Sequence, residues 1–155
     1  MSQTVGLDRL LAGKVGDMIL EIRAESGFLH VDAVGKFSLK EAQRTFVEML
    51  EAVAQNKVKK VLFDGRRITG NPKTMERFYY GTFAADAVRK FEDRGVSLST
   101  KFAYVLQVPV LDPERFGETV AVNRGMNVRA FDNLDDAHGW LGIEQANKTD
   151  AGDSK

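Results

Sequence analysis

The chain contains no cysteine, little proline and no excess of charge of either sign. Without cysteine it has no disulfide, no zinc site with thiolate ligands and no thiol nucleophile. Lysine plus arginine equals aspartate plus glutamate at 22 each, which argues against a general electrostatic attraction to nucleic acid or an acidic membrane. The first residues lack the long uncharged apolar run that export or a membrane span requires. We therefore expect a cytoplasmic protein with no integral membrane segment and no nucleic-acid partner.

The size and composition predict one globular domain. The 155 residues are 43% hydrophobic and 28% charged, which is enough to bury a core without covalent cross-links. We expect an N-terminal arm over residues 1 to 16, a domain over 17 to 143 and a flexible polar tail over 144 to 155. Residues 57 to 77 carry seven basic and two acidic side chains, whereas residues 132 to 155 carry two basic and six acidic ones. Any anion site is expected near the basic segment.

The first half of the domain predicts a hairpin followed by a helix. Residues 18 to 25 alternate apolar and polar side chains, which is the period of a half-buried strand. The turn at Ser26-Gly27 should return the chain as an antiparallel strand over residues 28 to 37. Ser38 and Glu41 then have the spacing of a capping box, and an apolar stripe continues to a helix stop near Asn56.

The rest of the domain alternates strands and helices. The elements are a strand at 58 to 64, a helix from Asn71-Pro72 toward Gly95, a strand at 101 to 108, a helix from Asp112 to Gly125, a strand at 127 to 131 and a short helix from Asp132. The order β-β-α-β-α-β-α-β-α predicts an α/β domain with a mixed, mostly parallel five-stranded sheet. Ligands of parallel sheets collect beyond the carboxyl ends of the strands, so the segment after Asp64 is the candidate site.

Four stretches carry a family resemblance: VLFDGRRITGNP, ERFYYGTFAADAVRKF, KFAYVLQV and VRAFDNLDDAHGWL. With the hairpin and capped helix before them, they resemble the STAS and SpoIIAA-like group of domains, which is related to CRAL-TRIO lipid-binding folds. The resemblance covers residues 17 to 143. It implies a β-α superhelix with its helices largely on one side of the sheet. It also implies one of two functions: a partner-switching regulatory domain phosphorylated in the turn after the third strand, or capture of an apolar ligand.

The candidate phosphorylation sites depart from the family pattern. Anti-sigma-factor antagonists carry an Asp-Ser-Ser-Gly type of turn, but this chain has no serine between Ser38 and Ser97. The only hydroxyls in the loop belong to Thr69 and Thr74, and Thr74 lies nearest the matching position. A phosphate there would meet the free amides and dipole of a helix N-terminus. The alternative is that Thr74 and Asn71 only help to cap the helix.

The charged residues of the same loop have two interpretations. Arg66 and Arg67 are either solvated surface charges, with Arg67 paired to Asp64 or Glu76, or an anion pocket whose guanidinium groups bind phosphate or carboxylate. In the second case they would clamp a phosphate on the loop. Asp64 is also suited to accept hydrogen bonds from the amides that follow it, which would be a structural role.

The helix after this loop has more aromatic residues than one core stripe holds. Phe78, Tyr79 and Tyr80 occupy successive positions that spread over about 200 degrees. At least one ring should therefore point outward. We expect Phe78 in the core, and Tyr79 and Tyr80 either beside a ligand pocket or a homodimer contact or on the open surface. Gly81 inside the helix indicates that another backbone or a ligand approaches closely there.

Catalysis has little support in the sequence. His30 and Asp32 should share one face of a strand, but no nucleophile motif accompanies them. The isolated His138 adds no metal-ligand spacing. The chain has neither a phosphate-binding glycine loop nor a dinucleotide fingerprint. We therefore expect no enzyme, no metal and no cofactor, and an unknown hydrolase or isomerase is the least favoured hypothesis.

Two functional hypotheses remain. The first is a non-enzymatic STAS-like module that recognises a protein partner or forms a homodimer, through residues 65 to 74 and the aromatic helix. The second is a carrier of a lipid or small apolar anion whose tail lies against Tyr79, Tyr80 and Phe83, while Arg66 or Arg67 holds the head. A carrier needs a cavity of roughly 300 Å³ or more, whereas a partner module needs an exposed patch. Under both hypotheses Tyr80→Ala should affect association or ligand retention more than folding.

Overall fold

A computed structural model of the protein describes residues 17 to 143. The arm predicted at 1 to 16 and the tail predicted at 144 to 155 lie outside the described residues. The elements are β1 Ile19–Glu25, β2 Phe28–Lys36, α1 Leu39–Asn56, β3 Lys60–Thr69, α2 Thr74–Lys90, a 3₁₀ helix Phe91–Arg94, β4 Lys101–Val105, α3 Phe116–Asn123, β5 Val128–Phe131 and α4 Leu134–Leu141. The sheet order is β1-β2-β3-β4-β5, with β1 antiparallel to β2 and the other pairs parallel. The predicted mixed five-stranded α/β fold is confirmed.

The ends of α1 differ in detail from the sequence prediction. The Ser38 hydroxyl accepts a hydrogen bond from the amide of Glu41 at 3.2 Å, as the capping box requires. The Glu41 carboxylate, however, accepts from the amide of Met18 at 3.3 Å and so ties the helix to the start of the sheet. At the other end Lys57, not Asn56, takes the left-handed conformation, with φ of 54°. Its amide donates to the carbonyl of Val53 and closes the helix.

Strand β3 is longer than predicted. Its pairing with β4 ends at Asp64 beside Val105, as the apolar run suggested. Its pairing with β2 continues to Thr69 beside Lys36, because β2 extends four residues beyond Asp32, the partner of Asp64. Arg66 and Arg67 are therefore strand residues and not turn residues. The turn after the third strand is reduced to residues 70 to 73.

The start of α2 also differs from the prediction. The helix begins at Thr74, and Lys73 precedes it in an extended conformation. The Glu76 carboxylate accepts from the Lys73 amide at 2.8 Å, so it performs the capping that Asn71 was predicted to perform. Asn71 is exposed in the turn. The helix start lies two residues beyond Pro72, the predicted first helical position, and the acidic residue within the helix, rather than a side chain before it, satisfies the free amide.

Helix α3 begins later than the Asp112-Pro113 motif suggested. Asp112 instead accepts from the amides of Glu114 at 3.1 Å and Phe116 at 2.8 Å. These bonds hold a turn in which Arg115 has a positive φ of 57°. The loop from β4 to α3 is therefore long and ordered by its own hydrogen bonds, and it lies above the carboxyl ends of the strands.

The two faces of the sheet are covered unequally. Buried residues of α1, α2 and α3 form the larger core against one face, together with residues such as Phe63 and Phe102. A smaller core joins α4 to the other face through Leu62, Ala103 and Val105. Three helices therefore lie on one side and one on the other, in agreement with the expected arrangement. Within the described part of the chain, no helix combines the length and apolar character that crossing a bilayer requires.

Candidate functional site

The turn at residues 70 to 73 lies at the rim where the parallel strands end. The backbone of this rim is held by the bond from the Phe37 amide to the Thr69 carbonyl at 2.8 Å. The side chains of Thr69, Asn71 and Thr74 are all exposed. Both candidate phosphorylation sites are thus accessible at the same edge of the sheet.

Asp64 and Arg66 form a two-pronged ion pair. The Nε of Arg66 lies 2.9 Å from Oδ1 of Asp64, and its Nη2 lies 2.7 Å from Oδ2. Burial would raise the pKa of the Asp64 carboxyl, but the bonds from the side chain and amide of Arg66 outweigh it and hold that pKa below its ordinary value. The predicted pairing of Arg67 with Asp64 or Glu76 is wrong. Arg67 is exposed and has no ion-pair partner within residues 17 to 143.

These charges lie on the face of the sheet opposite to α2. Side chains alternate along a strand; because Phe63 belongs to the larger core and Leu62 to the smaller one, Asp64 points to the side of α4. A bulge in β3 follows, since the register shifts between Asp32 and Val34 of β2. It places Arg67 beside Val34, on the same face as Asp64.

The open part of that face gathers a cluster that the sequence did not predict. One ligand-type atom from each of His30, Asp32 and Asp64 lies within 4.8 Å of the others. His30 Nε2 is 3.3 Å from Asp32, Arg23 donates to Asp32 at 3.0 Å, and Arg66 holds Asp64. Each carboxylate therefore already has an arginine partner, which accounts for the cluster as an ion-pair network. The cluster arises because Asp32 of β2 pairs with Asp64 of the parallel strand β3. The spacing of these residues along the chain does not reveal that pairing.

The aromatic residues of α2 divide between the surface and the interior. Tyr79 is 48% exposed and its ring contacts that of Phe78 edge to face, so the predicted outward ring is confirmed. Tyr80 points inward: its hydroxyl is 2.6 Å from that of Tyr104, and its ring meets the edge of Phe46. Burial raises the pKa of both buried phenols. The expectation that Tyr80→Ala would affect association more than folding does not fit this packing.

Helix α2 is fixed against α3 and the long loop. A Cβ atom on Gly81 would lie 2.7 Å from the carbonyl oxygen of Gly117, which confirms the predicted close approach of another backbone. Arg77 donates to the carbonyls of Val110 at 2.8 Å and Pro109 at 2.7 Å. The first turns of α2, the start of α3 and the loop that leads from β4 to α3 therefore form one connected unit.

Four large apolar side chains of this unit are exposed. Met75 is 55% exposed, Val108 64% and Phe116 37%, in addition to Tyr79. Met75 and Tyr79 are one helical turn apart and share a side of α2. Val108 belongs to the loop that Arg77 holds, and Phe116 is the first residue of α3. We call Met75, Tyr79, Val108 and Phe116 the rim patch.

A pocket lies on the inner side of the same unit. Its volume is about 140 Å³, and apolar side chains such as Phe63, Leu111 and Met126 line most of it, with Tyr80. Phe83 is half-buried and packs against the larger core. The volume is less than half of the roughly 300 Å³ of ordinary ligand pockets. The arginines proposed to hold a ligand head lie across the sheet, so the predicted combination of tail and head positions does not form.

Comparisons with known proteins give the fold. No protein-family model and no curated protein matches the chain. An anti-sigma factor antagonist from Mycobacterium paratuberculosis is 13% identical, with 84% of this chain and 98% of that chain covered and a TM-score of 0.55. A protein with a SpoIIAA-like fold from Shewanella loihica is 18% identical over 83% of this chain and 97% of that one, with a TM-score of 0.46. SpoIIAA in its unphosphorylated form is 7% identical over 81% and 99%, with a TM-score of 0.49.

The first of these likenesses carries the conclusion about the fold, because the other two have lower TM-scores. The domain has the α/β fold of an anti-sigma factor antagonist, in agreement with the STAS and SpoIIAA-like resemblance of the sequence. An identity of 13% shows a shared fold and does not transfer a function.

Proposed function

We propose that this SpoIIAA-like domain is a non-enzymatic regulatory module that binds a partner protein through the rim patch and the adjoining turn. The observation that carries the proposal is the exposure of Met75 and Tyr79 on one side of α2, with Val108 and Phe116 also exposed on the adjoining loop and on α3. The mycobacterial protein of the same fold is an antagonist of an anti-sigma factor, which is itself a protein. That role agrees with the proposal.

The surroundings of the rim patch suit a protein interface. Interfaces have an apolar centre and a polar margin, and the exposed residues Asn71, Lys73 and Thr74 supply such a margin. The bonds of Arg77 and the close contact of Gly81 hold the patch in place before any partner arrives. Such preorganisation reduces the entropy lost on association.

The other hypotheses have less support. The pocket of about 140 Å³ is too small for a lipid chain with its head group. The strongest polar cluster, around Asp32 and Asp64, is occupied by its own arginine partners. A homodimer through the same patch stays a prediction, which sedimentation or light scattering of the purified protein would test.

The test replaces apolar residues at the two rims of the sheet. The variant Met75→Asp with Tyr79→Asp places two charges in the rim patch, and the control Leu98→Asp places one at the opposite rim, where Leu98 is 43% exposed. Tagged proteins would be used to recover partners from cells of the natural source. We expect the control to retain the partner and the double variant to lose at least about tenfold in affinity, since central apolar residues dominate interfaces. Equal recovery by both variants, with native circular dichroism, would contradict the proposal.

We further propose that phosphorylation of Thr74 regulates this binding, with Thr69 as the second candidate. Thr74 is exposed at the first residue of α2 and is followed by Met75 of the rim patch. A phosphate would be stabilised there by the helix N-terminus. Arg66 already binds Asp64 and is not free to bind the phosphate. Lys73, which directly precedes Thr74, is the nearest cation along the chain. Thr74→Glu should change partner affinity more than Thr69→Glu. Equal effects would contradict the choice of Thr74 over Thr69 as the regulatory site.

A further inference from the structure

We propose that the pocket beneath α2 and α3 binds a small apolar molecule that carries one hydrogen-bond acceptor group, of the size and chemistry of benzoate or benzamide. The proposal is independent of partner binding, because it concerns the inner side of the α2 and α3 unit and not the rim patch. Three observations carry it: the volume of the pocket, the apolar lining and two donor groups without acceptors.

The volume limits the ligand to a small molecule. An apolar cavity of about 150 Å³ in a protein interior stays dry and binds benzene. The pocket here is about 140 Å³ and is lined by side chains such as Phe63, Ile68, Leu111 and Met126. A molecule of about six to nine non-hydrogen atoms therefore fits, by comparison with benzene.

The first donor without an acceptor belongs to Arg115. This residue lines the pocket, and its Nε is buried without a hydrogen-bond partner within residues 17 to 143. Its Nη1 donates to the carbonyl of Ala130 at 2.7 Å and lies 3.8 Å from Glu118. The guanidinium is therefore anchored by its tip, while the Nε–H remains unpaired. A buried donor in that state is unfavourable until an acceptor reaches it.

The second donor belongs to the tyrosine pair. The hydroxyls of Tyr80 and Tyr104 share one hydrogen bond at 2.6 Å. Each hydroxyl has one proton, so a single bond between them uses one proton and leaves the other. Neither hydroxyl has another hydrogen bond in the part of the chain that the structure describes. Both residues line the pocket, and we take the unused O–H as its second donor.

The charges around the pocket explain why the ligand is defined by its acceptor and not by net charge. Arg77 and Arg115 line it together with Asp112 and Glu118, so the formal charges balance. Asp112 accepts from backbone amides, and Glu118 accepts from the amide of Ala130 at 3.1 Å. Both oxygens of Asp112 and one oxygen of Glu118 are therefore engaged, and the unpaired groups of the pocket include the two donors described above. A carboxylate or an amide carbonyl complements these two donors, whereas an ammonium group cannot accept a hydrogen bond from them.

The experiment is a titration of the whole protein followed by methyl NMR. Benzene, benzamide, benzoate and benzylamine are four probes of similar size that differ in the polar group. We expect benzamide or benzoate to shift the methyl signals of Leu111 and Met126, with binding about tenfold tighter than benzene, as one added hydrogen bond predicts. Benzylamine should bind no better than benzene. Absence of pocket methyl shifts with all four probes at millimolar concentration, or strongest binding by benzylamine, would overturn the proposal.

Variants assign the effect to the pocket. Arg115→Met keeps an unbranched side chain but removes the Nε donor, so benzene should still bind while the advantage of benzamide or benzoate falls to about twofold. The control Arg124→Met changes an exposed arginine elsewhere and should keep the full advantage. Ala84→Leu fills the pocket and should abolish binding of all probes. If that variant does not fold, the contrast between the two arginine variants still decides, and an advantage that persists in Arg115→Met would overturn the proposal.

Discussion

The two faces of the sheet show how differently one fold uses its residues. On the face packed by α1, α2 and α3, stability comes from apolar burial around residues such as Phe46 and Phe102, which are almost fully buried. On the other face α4 covers one part, and the open part carries paired charges such as those of Asp64 and Arg66. Adjacent residues of β3 serve both faces. Burial contributes most to stability, whereas partly exposed ion pairs contribute little.

The comparison also shows where binding surfaces arise. The charge-rich segment around Arg66 looked most like a site in the sequence, yet its main charges satisfy one another. The exposed side chains of the rim patch and the unpaired Nε of Arg115 lie instead with α2, α3 and the loop before α3. Groups without partners in the folded chain are those that gain most from a ligand or a second protein.

The largest expected effect tests the packed face. Tyr80→Ala should lower the free energy of unfolding by about 3–5 kcal/mol, because it removes a ring from the larger core and leaves the hydroxyl of Tyr104 unpaired. The matched control Tyr79→Ala, one position away on the exposed side, should change it by about 0.5 kcal/mol or less. Urea denaturation of the two variants gives both values. Similar losses would mean that the two sides of α2 do not differ as described.

The next effect tests the close contact within the packed side. Gly81→Ala should destabilise the protein by about 1–3 kcal/mol, because its Cβ would meet the backbone of Gly117 and α3 must move. Gly139→Ala in α4 is the control, since the added Cβ would meet no atom within 4 Å apart from its chain neighbours and the backbone of its own helix. That variant should be more stable by about 0.5–1 kcal/mol, as alanine favours the helix. Thermal denaturation should shift in opposite directions, and stabilisation by both changes would refute the contact.

A smaller effect is expected on the open face. Asp64→Asn should lower the free energy of unfolding by about 1 kcal/mol at pH 7, because Arg66 loses its charged partner. The folded pKa of Asp64 lies below its ordinary value, so the native protein has the full contribution above the unfolded pKa of about 3.9. It loses this contribution as the pH falls through the folded value. Denaturation from pH 7 to pH 2 should therefore show the wild type and the variant converging in acid, and a constant gap would exclude the assigned pair.

The smallest effect concerns the other arginine of β3. Arg67→Met should change stability by about 0.5 kcal/mol or less, because Arg67 is exposed and has no ion-pair partner in the described range 17 to 143. Arg66→Met is the matched comparison and should resemble Asp64→Asn, since it removes the same pair. The two values come from the same urea titrations. A larger loss of stability in Arg67→Met than in Arg66→Met would indicate that the bulge, rather than the ion pair, stabilises this part of β3.

Local patterns predicted the elements well and the boundaries less well. Alternation identified β1 and β2, and the glycine signal at Gly81 correctly indicated a close backbone contact. The extension of β3 through Arg66 and Arg67 was missed because those residues lack an apolar period, and beyond Asp64 the strand pairs with β2 and not with β4. The capping of α2 by Glu76 was missed because Asn71-Pro72 is the stronger local signal.

The site depends on contacts that no local pattern contains. The outward position of Tyr79 follows from crowding of rings on one helix, so the sequence predicted an exposed ring. The inward position of Tyr80 depends on Tyr104, which lies on another element and provides the hydroxyl partner. The meeting of Asp32 with Asp64 depends on strand register, which is decided by tertiary packing.

The strands occur in the sheet in the same order as in the chain. During synthesis on a ribosome each new strand can therefore add to the free edge of the sheet already formed, and none has to insert between two strands that are already paired. The hairpin of β1 and β2 emerges first and needs only a short turn to close. We therefore expect nascent chains to become protected from proteolysis in steps, each one strand and one helix in length.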